Sequence, residues 1–156
     1  MERSKVLNEE VFMVNNMEVE HLPEVIEIES NSFPTPWTFS SYYYEIENNN
    51  LADYIVVLKD NKVIGYAGVW LIIDEVHLTT IAVAEQYRGQ QLGEMLIIEL
   101  IRRVKIKGGT RMTLEVRPSN LSAQSLYTRM GFISYGLRKG YYTDNNEDAI
   151  IMWKEL

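Results

Sequence analysis

Cysteine is absent from the 156-residue sequence, and its absence excludes several kinds of chemistry. Without thiols the chain can form no disulfide, no thiolate metal site and no cysteine nucleophile. Histidine is scarce as well, with only His21 at a predicted helix start and His77 in a predicted strand. A lone histidine is more often structural or exposed than catalytic. Two histidines with scattered acidic residues are too few for a metal centre, so we predict no bound metal.

Long apolar runs are also missing. The longest one, residues 63–73, is too short to span a bilayer and is interrupted by glycine. The first five residues, MERSK, lack the apolar segment of a signal peptide. We therefore expect a cytoplasmic protein that does not bind membranes. The net charge of −7 argues against direct nucleic-acid binding and suits a cationic substrate.

The composition that is present is typical of a globular protein. The hydrophobic fraction of 46% and the charged fraction of 24% are ordinary, and the chain is long enough to bury a core. No internal repeat, low-complexity segment or linker divides it. We expect one domain over residues 1–156.

Hydrophobic periodicity predicts a mixture of strands and helices. The predicted strands cover residues 11–14, 52–59, 62–73, 76–83, 111–117, 132–138 and 149–153. The predicted helices begin near residue 22, span 40–47, follow Gly93 and run from 120 to 130. Asp60-Asn61 predicts a hairpin turn. A strand meander followed by β-loop-α and β-α-β segments indicates a mixed, mostly antiparallel α/β sheet with helices on both faces.

The loop between the fourth predicted strand and the next helix carries Arg88, Gly89 and Gly93. The first backbone N–H groups of such a helix have no intrahelical acceptor, and the positive end of the helix dipole lies behind them. A pyrophosphate fits this environment. An ordinary strand–turn–helix with glycines for tight turning fits the same pattern. The spacing is neither that of a nucleotide P-loop nor that of a Rossmann fingerprint.

Two residues in the C-terminal half are candidates for acid–base chemistry. Glu115 lies on the polar face of an alternating strand, where a solvated carboxylate is the ordinary interpretation. Tyr127 lies two helical turns after Asn120, on the same side of a helix, where simple packing is the ordinary interpretation. A carboxylate can accept the proton of an ammonium group through a water. Backbone N–H groups of a splayed strand can hold an oxyanion.

Two further points follow from the residue types alone. A tyrosine is a weaker acid than a thiol by about 2 kcal/mol, because their reference pKa values are about 10 and about 8.5. Since no cysteine is present, a covalent cysteine intermediate is excluded.

Taken together, these segments resemble the GNAT acetyltransferases. Arg88, Leu92 and Gly93 match the Q/R-x-x-G-x-G/A motif of that family, and Gln91 stands where its middle glycine is usual. The chain is similar to the ribosomal-protein-alanine N-acetyltransferases (RimI-like enzymes) in particular. The segments that carry this similarity are 33–37 (FPTPW), 71–75 (LIIDE), 114–117 (LEVR), Asn120 and 147–152 (EDAIIM).

The resemblance implies a GNAT fold, acetyl-CoA as co-substrate and no metal. Because the chain has no cysteine that could form an acetyl-cysteine intermediate, we expect direct transfer in a ternary complex. It implies Glu115 as general base and Tyr127 as general acid. The residues that it implies for the cofactor are Ile81, Ala82, Val83, Arg88, Gly89, Gln90, Gln91, Leu92, Gly93, Glu94 and Asn120. Phe33 and Trp37, in a loop stiffened by two prolines, are either hydrophobic plugs or a wall of the substrate groove. In the second case the resemblance places them opposite Tyr141 and Tyr142.

The acceptor implied by the resemblance is the N-terminal alanine of a small-subunit ribosomal protein. At pH 7 an α-amine with a pKa of about 8 is about 10% neutral, whereas a lysine is neutral in about four parts in ten thousand. A single carboxylate base therefore suits chain ends better than lysines. Transfer to lysine or small amines stays open as an alternative, as does a catalytically silent CoA-binding regulatory module. We expect a monomer or a weak dimer.

Overall fold

The structure is a computed structural model that describes residues 3–7 and 10–156. Its strands are β1 (Arg3–Leu7), β2 (Glu10–Asn16), β3 (Ala52–Lys59), β4 (Lys62–Ile72), β5 (Glu75–Val83), β6 (Arg111–Val116), β7 (Ile133–Tyr142) and β8 (Glu147–Glu155). Its helices are α1 (Leu22–Ser32), α2 (Phe39–Asn48), α3 (Leu92–Ile106) and α4 (Leu121–Arg129). The strands form one sheet in the order β1-β2-β3-β4-β5-β6-β8-β7. Of the described strand pairs only β5 and β6 run parallel, so the predicted mixed, mostly antiparallel sheet is confirmed.

Helices cover both faces of this sheet, as predicted. Alternate residues of β3 point to opposite faces, so Ile55 lies in one apolar core and Val56 in the other. The first core is closed by α3 and α4, and the second by α1 and α2. In the part of the chain that the structure describes, no helix is long and apolar enough to cross a membrane.

β3 has its predicted bounds, whereas every other predicted strand differs from the observed one by one to four residues at one or both ends. β1 has no counterpart among the predicted strands. β4 ends at Ile72, one residue earlier than predicted, because Ile73 adopts a φ of +60° in the turn to β5. The predicted hairpin turn at Asp60 and Asn61 is confirmed, and both residues have the positive φ values, 51° and 62°, that such a two-residue turn requires.

The parallel pair β5–β6 opens after three residues. Pairing covers only residues 75–77 against 111–113, although β5 continues to Val83 and β6 to Val116. The ladder between β4 and β5 shifts at Gly68, where Thr79 is the extra residue of a bulge. The Thr79 hydroxyl donates to the Gly68 carbonyl at 3.1 Å and satisfies an acceptor beside the bulge. Because a bulge bends its strand, β5 turns away from β6 and a wedge-shaped gap forms between them.

The backbone of β5 along this gap has free hydrogen-bonding groups. The Ala84 N–H donates to the Ile64 carbonyl of β4 at 2.8 Å. Successive residues of a strand direct their backbone groups to opposite sides, so Ile81 and Val83 present theirs to the gap. The gap edge of β5 can therefore accept another extended chain.

Candidate active site

A carboxylate and an imidazole meet at the narrow end of the gap. His77 is the last residue of β5 that pairs with β6, and its partner there is Thr113. Glu115 lies two residues farther along β6, on the same face. His77 Nε2 is 2.6 Å from Glu115 Oε2, so the ring N–H donates to the carboxylate. The Glu115 side chain keeps 11% of its surface exposed and thus remains open to the gap.

The surroundings keep Glu115 ionised. Burial raises the pKa of this carboxyl, but the hydrogen bond and charge of His77, together with the charge of Arg138, outweigh burial and hold the pKa below its ordinary value. The Arg138 guanidinium Nε is 3.9 Å from Glu115 Oε1. One carboxylate oxygen therefore faces His77 and the other faces Arg138. At neutral pH the group is a proton acceptor with a fixed orientation.

Tyr141 and Tyr142, at the end of β7, lie within electrostatic range of Glu115. Burial, followed by the charge of Glu115, raises the pKa of Tyr141. Burial and Tyr141 raise the pKa of Tyr142 to about 12. Their ring centroids are 5.0 Å apart, and the Arg117 guanidinium lies 3.9 Å from the Tyr142 ring centroid. Both phenols thus stay protonated and can donate hydrogen bonds near the carboxylate.

Tyr127 lies in α4 and is buried, with 5% of its surface exposed. Its ring packs at 5.8 Å against Phe132. Burial, with a smaller effect of Tyr142, raises its pKa above the ordinary value. Among the described residues its hydroxyl has no hydrogen-bond partner. Tyr127 is therefore a protonated donor that is available to a ligand.

The loop before α3 presents a row of unpaired backbone N–H groups. Within the described chain, no protein acceptor pairs with the amides of residues 89–94; the first helical bond runs from the Met95 N–H to the Gln91 carbonyl at 3.1 Å. Gln91 caps the helix in the left-handed conformation, with φ of 64°, and its side chain is exposed. This conformation explains why glycine is usual at this motif position, since a Cβ is disfavoured there. The row of unpaired N–H groups is therefore present although residue 91 is a glutamine.

The other predicted cofactor residues around this loop have varied contacts. Arg88 Nε donates to the Val83 carbonyl at 3.0 Å and so fixes the end of β5. A Cβ on Gly93 would lie 3.0 Å from Leu126 of α4, so this glycine permits close packing of α3 and α4. Glu94 forms an ion pair with Arg129 at 3.2 Å. Leu92 and Ala82 are buried in the two cores, and only their backbone can contact a ligand.

Asn120 caps α4 instead of lying within it. Its side-chain carbonyl accepts the Ala123 N–H at 3.1 Å. The side-chain amide remains available as a donor, and the residue is exposed. The structure therefore gives Asn120 a structural role beside the one predicted.

The loop with Phe33 and Trp37 is held by a buried carboxylate that the sequence analysis did not identify. Glu29 of α1 is 3% exposed and accepts the Trp37 backbone N–H at 2.9 Å. It also accepts the hydroxyls of Tyr42, at 2.6 Å, and Tyr66, at 2.5 Å. Phe33 and Trp37 pack partly buried against the core under α1 and α2. The loop is thus rigid on its inner side, while a slot between it and Tyr141 and Tyr142 stays a prediction.

The sequence analysis also gave too little weight to His77. Its position relative to Glu115 follows from the register of the parallel pair, which periodicity cannot supply. A signal was nevertheless present. His77 and Glu115 lie on polar positions of two strands in a β-α-β unit, and such strands are usually neighbours.

Comparison with known proteins agrees with this architecture. Residues 22–132 match the acetyltransferase (GNAT) family. The chain is 47% identical over 140 residues to a Bacillus subtilis protein provisionally assigned as a ribosomal protein bS18-alanine N-acetyltransferase, covering 90% of this chain and 93% of the relative. It is 35% identical over 144 residues to the Escherichia coli enzyme of that name, covering 89% and 94%.

Solved structures show the same fold. The crystal structure of the ribosomal-protein-S18-alanine N-acetyltransferase from Escherichia coli superposes with a TM-score of 0.83 at 31% identity, covering 92% of this chain and 93% of that one. Ard1 from Thermoplasma volcanium superposes with a TM-score of 0.84 at 20% identity, covering 93% and 97%. The chain belongs to the GNAT family of acetyltransferases and is an acyltransferase.

Proposed function

We propose that the protein is an acetyl-CoA-dependent N-terminal protein acetyltransferase whose acceptor is the N-terminal alanine of ribosomal protein bS18. The observation that carries the proposal is an ionised, oriented Glu115 at the narrow end of an open gap between two parallel strands. The relatives named for this activity cover nine-tenths of the chain, which supports the choice of acceptor.

The gap and the loop before α3 fit the donor. The pantetheine arm of CoA is an extended chain with two amides, and the N–H and carbonyl of Ile81 and the N–H of Val83 lie free to pair with it as an added strand. The Val83 carbonyl is already bonded to Arg88. The unpaired amides of residues 89–94, at the positive end of α3, suit a pyrophosphate. The side-chain amide of Asn120 is a further donor on the opposite side of the gap. Acetyl-CoA supplies the thioester whose carbonyl carbon is attacked.

Glu115 prepares the nucleophile. It takes the proton of the acceptor ammonium, through a water, on the oxygen not bonded to His77. The neutral amine attacks the thioester carbon, the N–C bond forms, and a backbone N–H of the splayed β5 holds the oxyanion. The C–S bond then breaks and the thiolate leaves, while the new amide nitrogen releases its second proton to solvent.

Tyr127 acts on the leaving sulfur. Because burial raises the pKa of this phenol, full proton transfer to a thiolate is less favourable than for an ordinary tyrosine. Tyr127 therefore stabilises the thiolate mainly as a hydrogen-bond donor. A hydrogen bond to a charged group contributes about 1.5–3 kcal/mol.

Chain ends suit this site better than lysines. Moving from a lysine to an α-amine lowers the cost of deprotonation by about 3 kcal/mol at neutral pH. The carboxylate of Glu115 is already stabilised as an anion by His77 and Arg138 and is hence a weak base. Such a base is adequate for an α-amine and poor for a lysine.

Turnover with defined peptides tests the proposal. Peptides that begin with Ala, Ser or Met, each with an internal lysine, are incubated with acetyl-CoA, and the acetyl group is mapped by mass spectrometry. We expect acetylation of the α-amine, fastest for Ala. Acetylation confined to lysine would overturn the acceptor class, and binding of CoA without any turnover would favour a silent module.

A further inference from the structure

We propose that a pocket between α2 and β4 binds the guanidinium of an arginine that follows the acceptor's N-terminal residue at close range. The inference rests on the proposed function and adds a specificity determinant to it. The pocket has a volume of about 480 Å³. Its lining consists of Trp37, Ser40, Ser41, Tyr44, Glu45 and Trp70.

A buried carboxylic residue, Glu45, lines both this pocket and a neighbouring cleft that contains Arg102, Arg103 and Lys107. Glu45 is 8% exposed. Its donors are the hydroxyl of Tyr54 at 2.8 Å, the indole N–H of Trp70 at 2.5 Å and the side-chain amide of Asn49 at 2.8 Å. All three are neutral, and none of the described cations lies within ion-pair distance of Glu45. Its carboxyl group is therefore held in place by neutral donors and forms no ion pair among the described residues.

The walls are aromatic and none of the lining residues is basic. Three of the six lining residues, Trp37, Trp70 and Tyr44, are aromatic, and Tyr44 is 60% exposed. A planar guanidinium stacks on such rings, retains its charge and is less strongly hydrated than an ammonium. An apolar side chain would contact the aromatic walls but offer Glu45 no hydrogen-bond donor. The combination favours arginine.

The pocket adjoins the catalytic end of the gap. Trp70 pairs with His77 across β4 and β5, and their ring centroids are 6.0 Å apart. His77 in turn contacts Glu115 at 2.6 Å. One imidazole and one indole thus lie between Glu115 and the pocket, and the distance from Glu115 to the pocket is about 10 Å. An extended chain covers about 3.3–3.6 Å per residue, so an acceptor whose α-amine lies at Glu115 reaches the pocket with its second to fourth residue.

Arginine and citrulline provide the test, because citrulline is a neutral analogue of nearly the same shape. Peptides that begin with Ala carry one or the other at position two, three or four, and kcat/KM is measured for each pair. We expect the replacement by citrulline to lower kcat/KM at least about tenfold at one position, through KM. In the Glu45→Gln variant, we expect the ratio of kcat/KM between the arginine peptide and the citrulline peptide to fall below about threefold at that position.

Matched variants separate the pocket from general electrostatics. Glu47 is an exposed acid on the same helix, and Glu47→Gln should keep the wild-type ratio. Tyr44→Ala removes an exposed wall and should lower the ratio even if Glu45→Gln does not fold. Equal ratios in the wild type and in Glu45→Gln, or a wild-type ratio near one at every position, would overturn the proposal.

Failure of the proposed function gives a different result. If no peptide is acetylated, the same arginine and citrulline peptides are titrated against the protein while indole fluorescence is recorded, since Trp37 and Trp70 line the pocket. Tighter binding of the arginine peptide, lost in Glu45→Gln, supports the pocket without catalysis. Equal binding of both peptides rejects it.

Discussion

Replacement of Glu115 by glutamine tests the central step of the mechanism with little change in shape. The glutamine side-chain carbonyl can still accept the His77 N–H that now lies 2.6 Å from the carboxylate. What it cannot do is take a proton from the acceptor ammonium. General-base catalysis contributes about 10²–10⁴-fold, so we expect kcat/KM to fall at least about a hundredfold at pH 7.

The size of this loss depends on pH in a calculable way. An α-amine with a pKa of about 8 is about 10% neutral at pH 7 and about 90% neutral at pH 9. If Glu115 mainly removes the ammonium proton, the variant should recover about ninefold relative to its own rate at pH 7. The wild type should change less, because its carboxylate stays ionised across this range.

The assay is release of CoA from acetyl-CoA with an Ala-initiated peptide, measured from pH 6 to 9. Binding of CoA by calorimetry serves as the control, because Glu115 is not placed on the donor. A loss that is independent of pH would show that Glu115 positions substrate and does not accept the proton. A variant with near-normal rates would refute the assignment altogether.

Further predictions concern four other residues. Tyr127→Phe should lower kcat about tenfold to a hundredfold while CoA affinity stays within twofold, as expected for a hydrogen bond made to the leaving thiolate; unchanged kcat would exclude that role. In His77→Ala, burial would dominate and raise the pKa of Glu115, so the acid limb of the kcat/KM profile should move to higher pH, whereas His77→Gln retains a donor and should resemble the wild type. The same lowered pKa affects the stability of the fold. The ionised Glu115 stabilises the folded state above pH 4.5, its ordinary pKa, and this stabilisation is lost as the pH falls through the lowered pKa of the folded state. Gln91 and Ile73 have exposed side chains and positive φ values of 64° and 60°, a conformation that glycine adopts without strain. Gln91→Gly and Ile73→Gly should each raise the stability of the fold by up to about 1 kcal/mol, or about 2–4 °C in Tm. A lower Tm in Gln91→Gly, or weaker CoA binding, would mean that the glutamine makes a contact of its own.

Much of the fold could be predicted because its elements are locally determined. β3 was predicted at its observed bounds, since it alternates between two apolar cores and ends at a turn that Asp60 and Asn61 favour. Gly131 follows the C-cap of α4 and has a φ of 94°, the left-handed conformation that glycine commonly supplies at the end of a helix. Such signals lie within a few residues of each other and need no knowledge of the tertiary structure.

The candidate site was harder to predict from the sequence because its geometry depends on the register of the strands. Glu115 was chosen for its place on a polar strand face, and its roles stay predictions. The partner His77 lies 38 residues away, and only the three-residue parallel ladder brings the two together. The buried carboxylates Glu29 and Glu45 were missed for a related reason. Each appears as an ordinary polar residue of an amphipathic helix until aromatic donors from distant segments surround it.

The short ladder between β5 and β6 also has a mechanical consequence. It leaves a seam across the sheet at which β5 and β6 share few backbone hydrogen bonds. The two strands are otherwise held together by the apolar core that they form with α3. A donor lying in the gap adds hydrogen bonds along this seam and completes the missing length of strand. Binding to the folded state alone contributes about 2.7 kcal/mol when the ligand is at a hundred times its Kd. The supply of co-substrate would then set how well the molecule resists heat and proteolysis, so that the enzyme is most durable when it has acetyl groups to transfer.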